Sequence, residues 1–262
     1  MRSVKPSILL LVIASLVAAS AAPAQEQAEN DSARAAALVR EVINRRGGDA
    51  YLKVRTVVSR GTFTPFEKGA SGSPVSFVDY IVYPGRERTE FDKGGSKFIQ
   101  SNSEGANWVY DAKQKQIRDQ KEEQVKQFRQ GARYDLDNLL RAAAQPTGVK
   151  LIYVGRREPW RSTFSEAVRI EFTDGGSATL HVDARSKLPL MTEYKSMTEE
   201  GTVNNESRYY RWVDFNGVQY PTLVDSYRDG KQSARVSFDS IDLNVNVPDK
   251  LFAKPESVKE VK

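Results

Sequence analysis

Cysteine is absent from the 262 residues, and histidine occurs once, as His181. The first absence excludes disulfides, thiolate chemistry and a lipid-accepting Cys behind a leader peptide. The second leaves too little material for a His-based metal site or a Ser-His triad. Neither sign of charge dominates: 39 basic residues face 34 acidic ones, a net +5. Arg2 and Lys5 lie in an expected leader, and the 37 basic residues left without them give +3. That balance is too mild and too interspersed to indicate nucleic acid. No apolar run is long enough to cross a bilayer comfortably; the longest, residues 8–19, is about a dozen residues.

That run follows Arg2 and Lys5 and precedes Ala22-Pro23-Ala24, an A-x-A cleavage pattern. Residues 1–24 therefore read as a secretory leader, and the expected location is the periplasm. An amphipathic helix follows at residues 31–46. Asp31 or Ser32 can cap it, Ala35, Leu38, Val39, Val42 and Ile43 form one stripe, and Gly47-Gly48 ends it. A second helix is expected over 119–144, with Val125, Phe128, Ala132, Leu136, Leu139, Leu140 and Ala143 on one face and a bend at Gly131. Pro146 and Gly148 close it.

The remainder alternates with period two. Residues 51–63 read as the first strand, with Val54 and Val58 on one face. Residues 75–83 are apolar on both faces, with Phe77 and Ile81 on one and Val78, Tyr80 and Val82 on the other, so both faces need cover. Further strands are expected at 86–91, 97–100, from Trp108 through Tyr110, and across 149–200. There Val168, Ile170 and Phe172, then Ala178, Leu180 and Val182, alternate with polar residues. A loop is expected at 199–205. The closing stretch, 206–244, is cut by Asn216-Gly217 and Asp229-Gly230 into a three-stranded meander, in which Ala234, Val236 and Phe238 share a face. No fixed-period repeat or linker divides the chain, so 25–262 reads as one domain. The expected fold is α+β, mainly β: a large curved antiparallel sheet, an unclosed β-barrel, with helices lidding its concave apolar face.

Chemistry-bearing motifs are few. The nucleophile elbow, the phosphate-binding Gly-rich loop, the zincin helix and the calcium loop are missing. Asp174-Gly175-Gly176 reads as a hairpin turn. His181, on the polar side of its strand, reads as a surface residue. Glu122-Glu123 and Glu199-Glu200 lie on solvated segments. Arg208-Tyr209-Tyr210-Arg211-Trp212 has the composition of a base-stacking ribbon and equally of a half-buried strand with snorkelling arginines; export argues against nucleic acid. A curled sheet with two helices as its only cover encloses a hollow suited to a lipid chain, although on pattern alone a fully packed core is the simpler reading.

Four pieces, in order along the chain, resemble the periplasmic outer-membrane lipoprotein carrier and sorting family, the LolA-like proteins. They are the first helix ending in Gly47-Gly48; Tyr83-Pro84-Gly85-Arg86 followed by Glu104-Gly105-Ala106-Asn107-Trp108-Val109-Tyr110-Asp111; Val182-Asp183 with Leu188-Pro189; and Trp212-Val213-Asp214-Phe215-Asn216-Gly217-Val218 with Pro221, closing on Asn244 and Leu251-Phe252-Ala253-Lys254-Pro255. The resemblance implies a non-enzymatic, cofactor-free chaperone and transport protein. It would carry acyl chains of lipoproteins or lipids between an inner-membrane donor and an outer-membrane acceptor, as a monomer. A lipid sensor on the same fold that does not transfer its ligand is the alternative, and an exported enzyme with an unfamiliar site is another. The residues expected to line the hollow are Phe77, Ile81, Trp108, Tyr110, Ile170, Phe172, Leu180, Val182, Val236 and Phe238, faced by Phe128, Leu136 and Leu140 from lids at 31–46 and 121–144. Several such carriers latch the lid with an arginine just before the proline of the second hairpin. Here Tyr83 holds that position, and Arg86 and Arg88 follow the turn.

Overall fold

Asn216 and Gly217 take φ of 54° and 84°, and Asp229 and Gly230 take 48° and 73°, the left-handed values that two-residue hairpin turns require. They join β12 (Gly201–Phe215), β13 (Val218–Arg228) and β14 (Lys231–Leu243), the expected meander. A computed structural model describes residues 21–145, 147–198 and 201–261. The expected leader falls mostly outside these residues, as do Pro146, Glu199 and Glu200.

Around the meander the chain builds one antiparallel sheet. In chain order its first strands are β1 (Thr56–Glu67), β2 (Ala70–Ser71), β3 (Val75–Val82), β4 (Arg86–Lys93), β5 (Ser96–Asn102), β6 (Trp108–Asp111) and β7 (Gln116–Asp119). After the helices come β8 (Val149–Trp160), β9 (Thr163–Phe172), β10 (Ser177–Asp183) and β11 (Pro189–Thr198). The 14-stranded order is β7-β6-β5-β4-β3-β1-β14-β13-β12-β11-β10-β9-β8, with β2 on β1. β7 and β8 do not pair, so the barrel stays unclosed. At Gly61 the β1–β14 register shifts, and a Cβ there would lie 2.0 Å from the Ser237 carbonyl oxygen; only glycine permits this approach.

Several boundaries differ from the sequence pattern. α1 runs Ala21–Arg45, starting well before residue 31. Residues 51–53 are not strand: Tyr51 closes into a short helix, α2 (Asp49–Leu52), because the turn after Gly48 continues helically. Val54 and Val58 occupy different cores, on opposite sides of the sheet. The second helix is two helices, α3 (Glu122–Tyr134) and α4 (Leu136–Ala143). The break falls at Asp135 (φ −57°, ψ 143°) rather than Gly131, because the Asp135 carboxylate caps α4 by accepting from the Asp137 amide at 2.9 Å. Residues 116–119 form β7, and Asn204 and Asn205 lie within β12 instead of a loop.

Cover on the inner face is lopsided. α1 and α4 lie over the β8–β10 side, where Ile170, Leu180, Val182 and Leu140 are fully buried. α3 buries only Tyr134, stacked on Tyr194 with centroids 4.3 Å apart. The outer face of β3 is also covered, as its double apolar pattern requires. The C-terminal segment crosses it, packing Val247, Leu251 and Phe252 against Val58, Val78, Tyr80 and Val82. No described helix is long and apolar enough to cross a membrane.

Candidate functional site

On the side of the sheet left uncovered by α1, the inner face of β1, β3, β13 and β14 stands away from the lid. A cavity of about 320 Å3 lies between these strands and the start of α4. Its apolar wall includes Val57, Ile81, Leu136, Val224, Val236 and Phe238. Ile81, near the end of β3, and Val224, Val236 and Phe238, mid-strand, lie on the concave face yet keep accessible surface. Packed side chains there would be fully buried, as Ile170 and Leu180 are, so this part of the interior is hollow.

The thirteen residues expected to line the hollow divide by position. Ile81, Leu136, Val236 and Phe238 border the cavity. Phe128 and Phe172 border a groove outside it. Phe77 packs edge-on against Phe238, with centroids 5.8 Å apart. Leu140, Ile170, Leu180 and Val182 belong to the packed core under α1 and α4. Trp108 is on the other face: its indole Nε1 donates to the Phe252 carbonyl at 2.9 Å, beneath the C-terminal segment. Tyr110, two residues along β6, shares that face by alternation. β6 also lies four strands from β1, away from the strands that wall the cavity.

The lid is fastened by a buried polar cluster. Arg46, at the end of α1, has no exposed surface and pairs with Asp137 of α4. Tyr51 donates to Asp137 Oδ1 at 2.9 Å, and Tyr83 donates to Oδ2 at 2.6 Å. Arg46 Nε also donates to the Gln219 carbonyl at 3.1 Å, while the Gln219 amide returns a bond to the Arg46 carbonyl at 2.9 Å. Gly47 lets the helix end reach this hairpin: a Cβ there would meet the Gly217 carbonyl oxygen at 2.4 Å. Burial alone would raise the Asp137 carboxyl, but Arg46 and the two phenols outweigh it and hold it below the ordinary value. The position that carries a latching arginine in several carriers thus still grips the lid here, through the Tyr83 hydroxyl. Asn138 adds a second tie by donating to the Pro84 carbonyl at 3.1 Å.

The cavity also has an acidic wall. Asp79, Glu87 and Asp135 all border it. Thr89 donates to Asp79 at 2.9 Å. Burial, reinforced by Asp135, pushes the Asp79 carboxyl up to about 7 against that bond, and burial with Asp79 raises Glu87 well above the usual range. Asp135 is surrounded by protein, which pushes its carboxyl up, yet it keeps substantial surface toward the open space. Exposure weakens that push, so Asp79, less exposed than Asp135, is the better candidate for a neutral acid near pH 7. The sequence pattern passed over these groups. The signal was present at Asp79, an acid in register with Phe77 and Ile81 on an apolar face, and at Arg46, one turn beyond Val42 on the buried stripe.

His181 is buried rather than exposed, with 5% of its surface accessible. Its ring lies 3.2 Å from Ser165 Oγ and 3.3 Å from Glu193 Oε1. The order Ser-His-Glu resembles a hydrolytic triad, but Ser165 has no exposed surface; the three side chains tie β9, β10 and β11 together.

Beyond Tyr83 and Pro84 the interior opens to an outer groove of about 690 Å3 between α3, α4 and the end of α2. A smaller space of about 310 Å3 borders both. It shares Ile81, Glu87 and Asp135 with the cavity, and Phe128, Ala132 and Asn138 with the groove.

No family model matches the sequence, and no curated protein matches it. Solved structures do match in fold. A DUF1329 family protein from Desulfovibrio piger superposes with a TM-score of 0.60 at 13% identity, covering 85% of this chain and 97% of that one. A putative outer membrane lipoprotein-sorting protein domain from Vibrio parahaemolyticus gives 0.54 at 10% identity, covering 85% and 97%. A LolA superfamily protein from Nitrosomonas europaea gives 0.51 at 13% identity, covering 84% and 97%. Together with the unclosed sheet, its lid helices and the hollow between them, these superpositions establish that the chain has a LolA-like fold.

Proposed function

We propose that the protein is a periplasmic, monomeric carrier that shields an acyl chain of a lipoprotein or lipid in the hollow under its lid and delivers it from an inner-membrane donor towards an outer-membrane acceptor. The observation that carries this reading is the accessible surface kept by Ile81, Val224, Val236 and Phe238 on the concave face of the sheet. Burying one CH2 group is worth about 0.8 kcal/mol, so a chain of sixteen carbons stranded in water gains about 12 kcal/mol from an apolar enclosure. A cavity of about 320 Å3 is at the small end of ligand pockets, which run from about 300 to 1,000 Å3. A long chain therefore needs α3 to move outward, and that helix is the least firmly packed part of the lid, burying only Tyr134. The leader-like start of the chain and the name of the lipoprotein-sorting neighbour support the same reading.

Native mass spectrometry of protein purified from the periplasm without detergent tests it. The expected result is a bound mass that disappears on organic extraction and fragments to acyl chains. A clean apo mass, with no uptake of added fatty acid or lipopeptide, would overturn the carrier reading. Transfer to acceptor membranes then separates carriage from sensing.

A further inference from the structure

The outer groove has a charge of one sign. Arg55, Arg129, Arg133 and Arg141 border it, and no carboxylate does among its lining residues. Between the arginines its surface is apolar, from Leu52, Phe128, Ala132, Ala142 and Phe172. Two of the arginines are structurally committed. Arg133 pairs with Asp174 and lies 4.0 Å over the Phe172 ring. Arg141 donates to the carbonyls of Leu52 and Tyr51 at 2.9 and 3.0 Å and covers the Tyr83 ring at 4.5 Å. Its Nε is buried with no hydrogen-bond partner among the described residues. Arg55 and Arg129 are exposed, and among the described residues neither guanidinium makes an ion pair or a hydrogen bond.

We propose that this groove is a headgroup site for an anionic lipid. A phosphate or carboxylate would be held by Arg55 and Arg129, with the committed guanidiniums of Arg133 and Arg141 adding positive charge beside it, while the chain runs past Phe128 and Tyr83 into the cavity. The inference rests on the acyl-binding reading and adds the sign of the headgroup. Guanidinium forks match carboxylate and phosphate oxygens. The intermediate space borders groove and cavity alike, so the inward path crosses only the Tyr83-Pro84 turn. Among the described residues the cavity itself offers no free cation, since its lining arginine, Arg46, is paired with Asp137, so a headgroup anion is accepted at the mouth and the chain goes inward.

The test compares lysophosphatidylglycerol, anionic, with lysophosphatidylcholine of the same chain, zwitterionic, below their micellar concentrations. Binding to the full secreted chain, stripped of lipid, is read by native mass spectrometry and calorimetry. The expected result is a preference of about tenfold for the anionic lipid that shrinks with added salt. The Arg55→Gln/Arg129→Gln double variant should lose that preference, binding the two lipids with about equal affinity. Both side chains are exposed, so folding should be unaffected, and circular dichroism checks this. Equal affinity of the unaltered protein for the two lipids, or a preference that survives in the variant, would overturn the headgroup site and leave the acyl cavity standing. Failure to bind either lipid would overturn both. Glycerol phosphate binding as tightly as the anionic lysolipid would overturn the lipid assignment in favour of a free-anion site.

Discussion

Replacing Asp137 with Ala should remove about 3–5 kcal/mol of folding stability, the cost of leaving a buried charge without its partner. Arg46 has no exposed surface and no other carboxylate within salt-bridge distance among the described residues. Its Nη2 already lacks a hydrogen bond, so the variant leaves a second buried guanidinium nitrogen, Nη1, without a partner. The variant also strands the hydroxyls of Tyr51 and Tyr83, each of which now donates to Asp137. For a chain of this size about 2–4 °C is lost per kcal/mol, so the melting temperature should fall by about 6–20 °C. Urea unfolding followed by tryptophan fluorescence is the assay, since the Trp212 ring lies 5.4 Å from the Arg46 guanidinium. The Arg46→Met/Asp137→Leu pair should recover most of the loss, because apolar replacement of a buried ion pair is neutral or stabilising. The pH dependence has a definite sign. Asp137 is depressed in the folded state, so its contribution is present above the unfolded value of about 3.9 and fades as pH falls through the lower, folded value. The difference between Asp137→Ala and the unaltered protein should therefore narrow in strong acid. A loss below about 1 kcal/mol at pH 7, the worth of an exposed pair, would refute the claim that this cluster is buried and fastens the lid.

Other perturbations reach different parts of the account. Asp79 is raised to about 7; the stability tied to its neutral form is complete below the unfolded value of about 3.9 and is lost as pH rises through the folded one. Asp79→Asn should thus raise the melting temperature at pH 8 relative to pH 5, and an unchanged pH slope in thermal scans would contradict it. Gly61→Ala places a methyl against the Ser237 carbonyl and the Phe238 Cα, both backbone atoms. It should cost about 1–3 kcal/mol in chemical denaturation, whereas a neutral result would mean the β1–β14 bulge is looser than described. Phe252→Ala should cost about 3–5 kcal/mol and increase hydrogen exchange in β3 and β6; retained protection there would show that the C-terminal segment does not cover the outer face.

What could be read in the sequence was the periodic part. The Asn-Gly and Asp-Gly turns and the Val236/Phe238 alternation located the meander, because local backbone preference and burial pattern agree there. The double apolar pattern of residues 75–83 anticipated cover on both faces. Its outer cover came from residues 247–252, a segment without regular strand or helix periodicity. Periodicity does not report distance between layers. Ile170 and Val236 alternate equally well, but one is in the packed core and the other faces open space. Trp108 carried the family resemblance and sits on the opposite face for the same reason. The lid fastening was hidden because its members are far apart along the chain: Arg46, Tyr51, Tyr83 and Asp137 meet only when α1, α2, α4 and the β3–β4 hairpin converge. The resemblance had pointed to position 83. This chain has a phenol there, and its partner is a carboxylate on the lid.

The central claim is that the space bounded by Ile81, Val224, Val236 and Phe238 receives an acyl chain. A crystal structure with a lysolipid brominated at the chain terminus tests it most directly. The account predicts an anomalous bromine peak within that space, with α3 displaced outward. A bromine on the outer face of the sheet, or side chains closed over an empty interior while the lipid lies elsewhere, would contradict it.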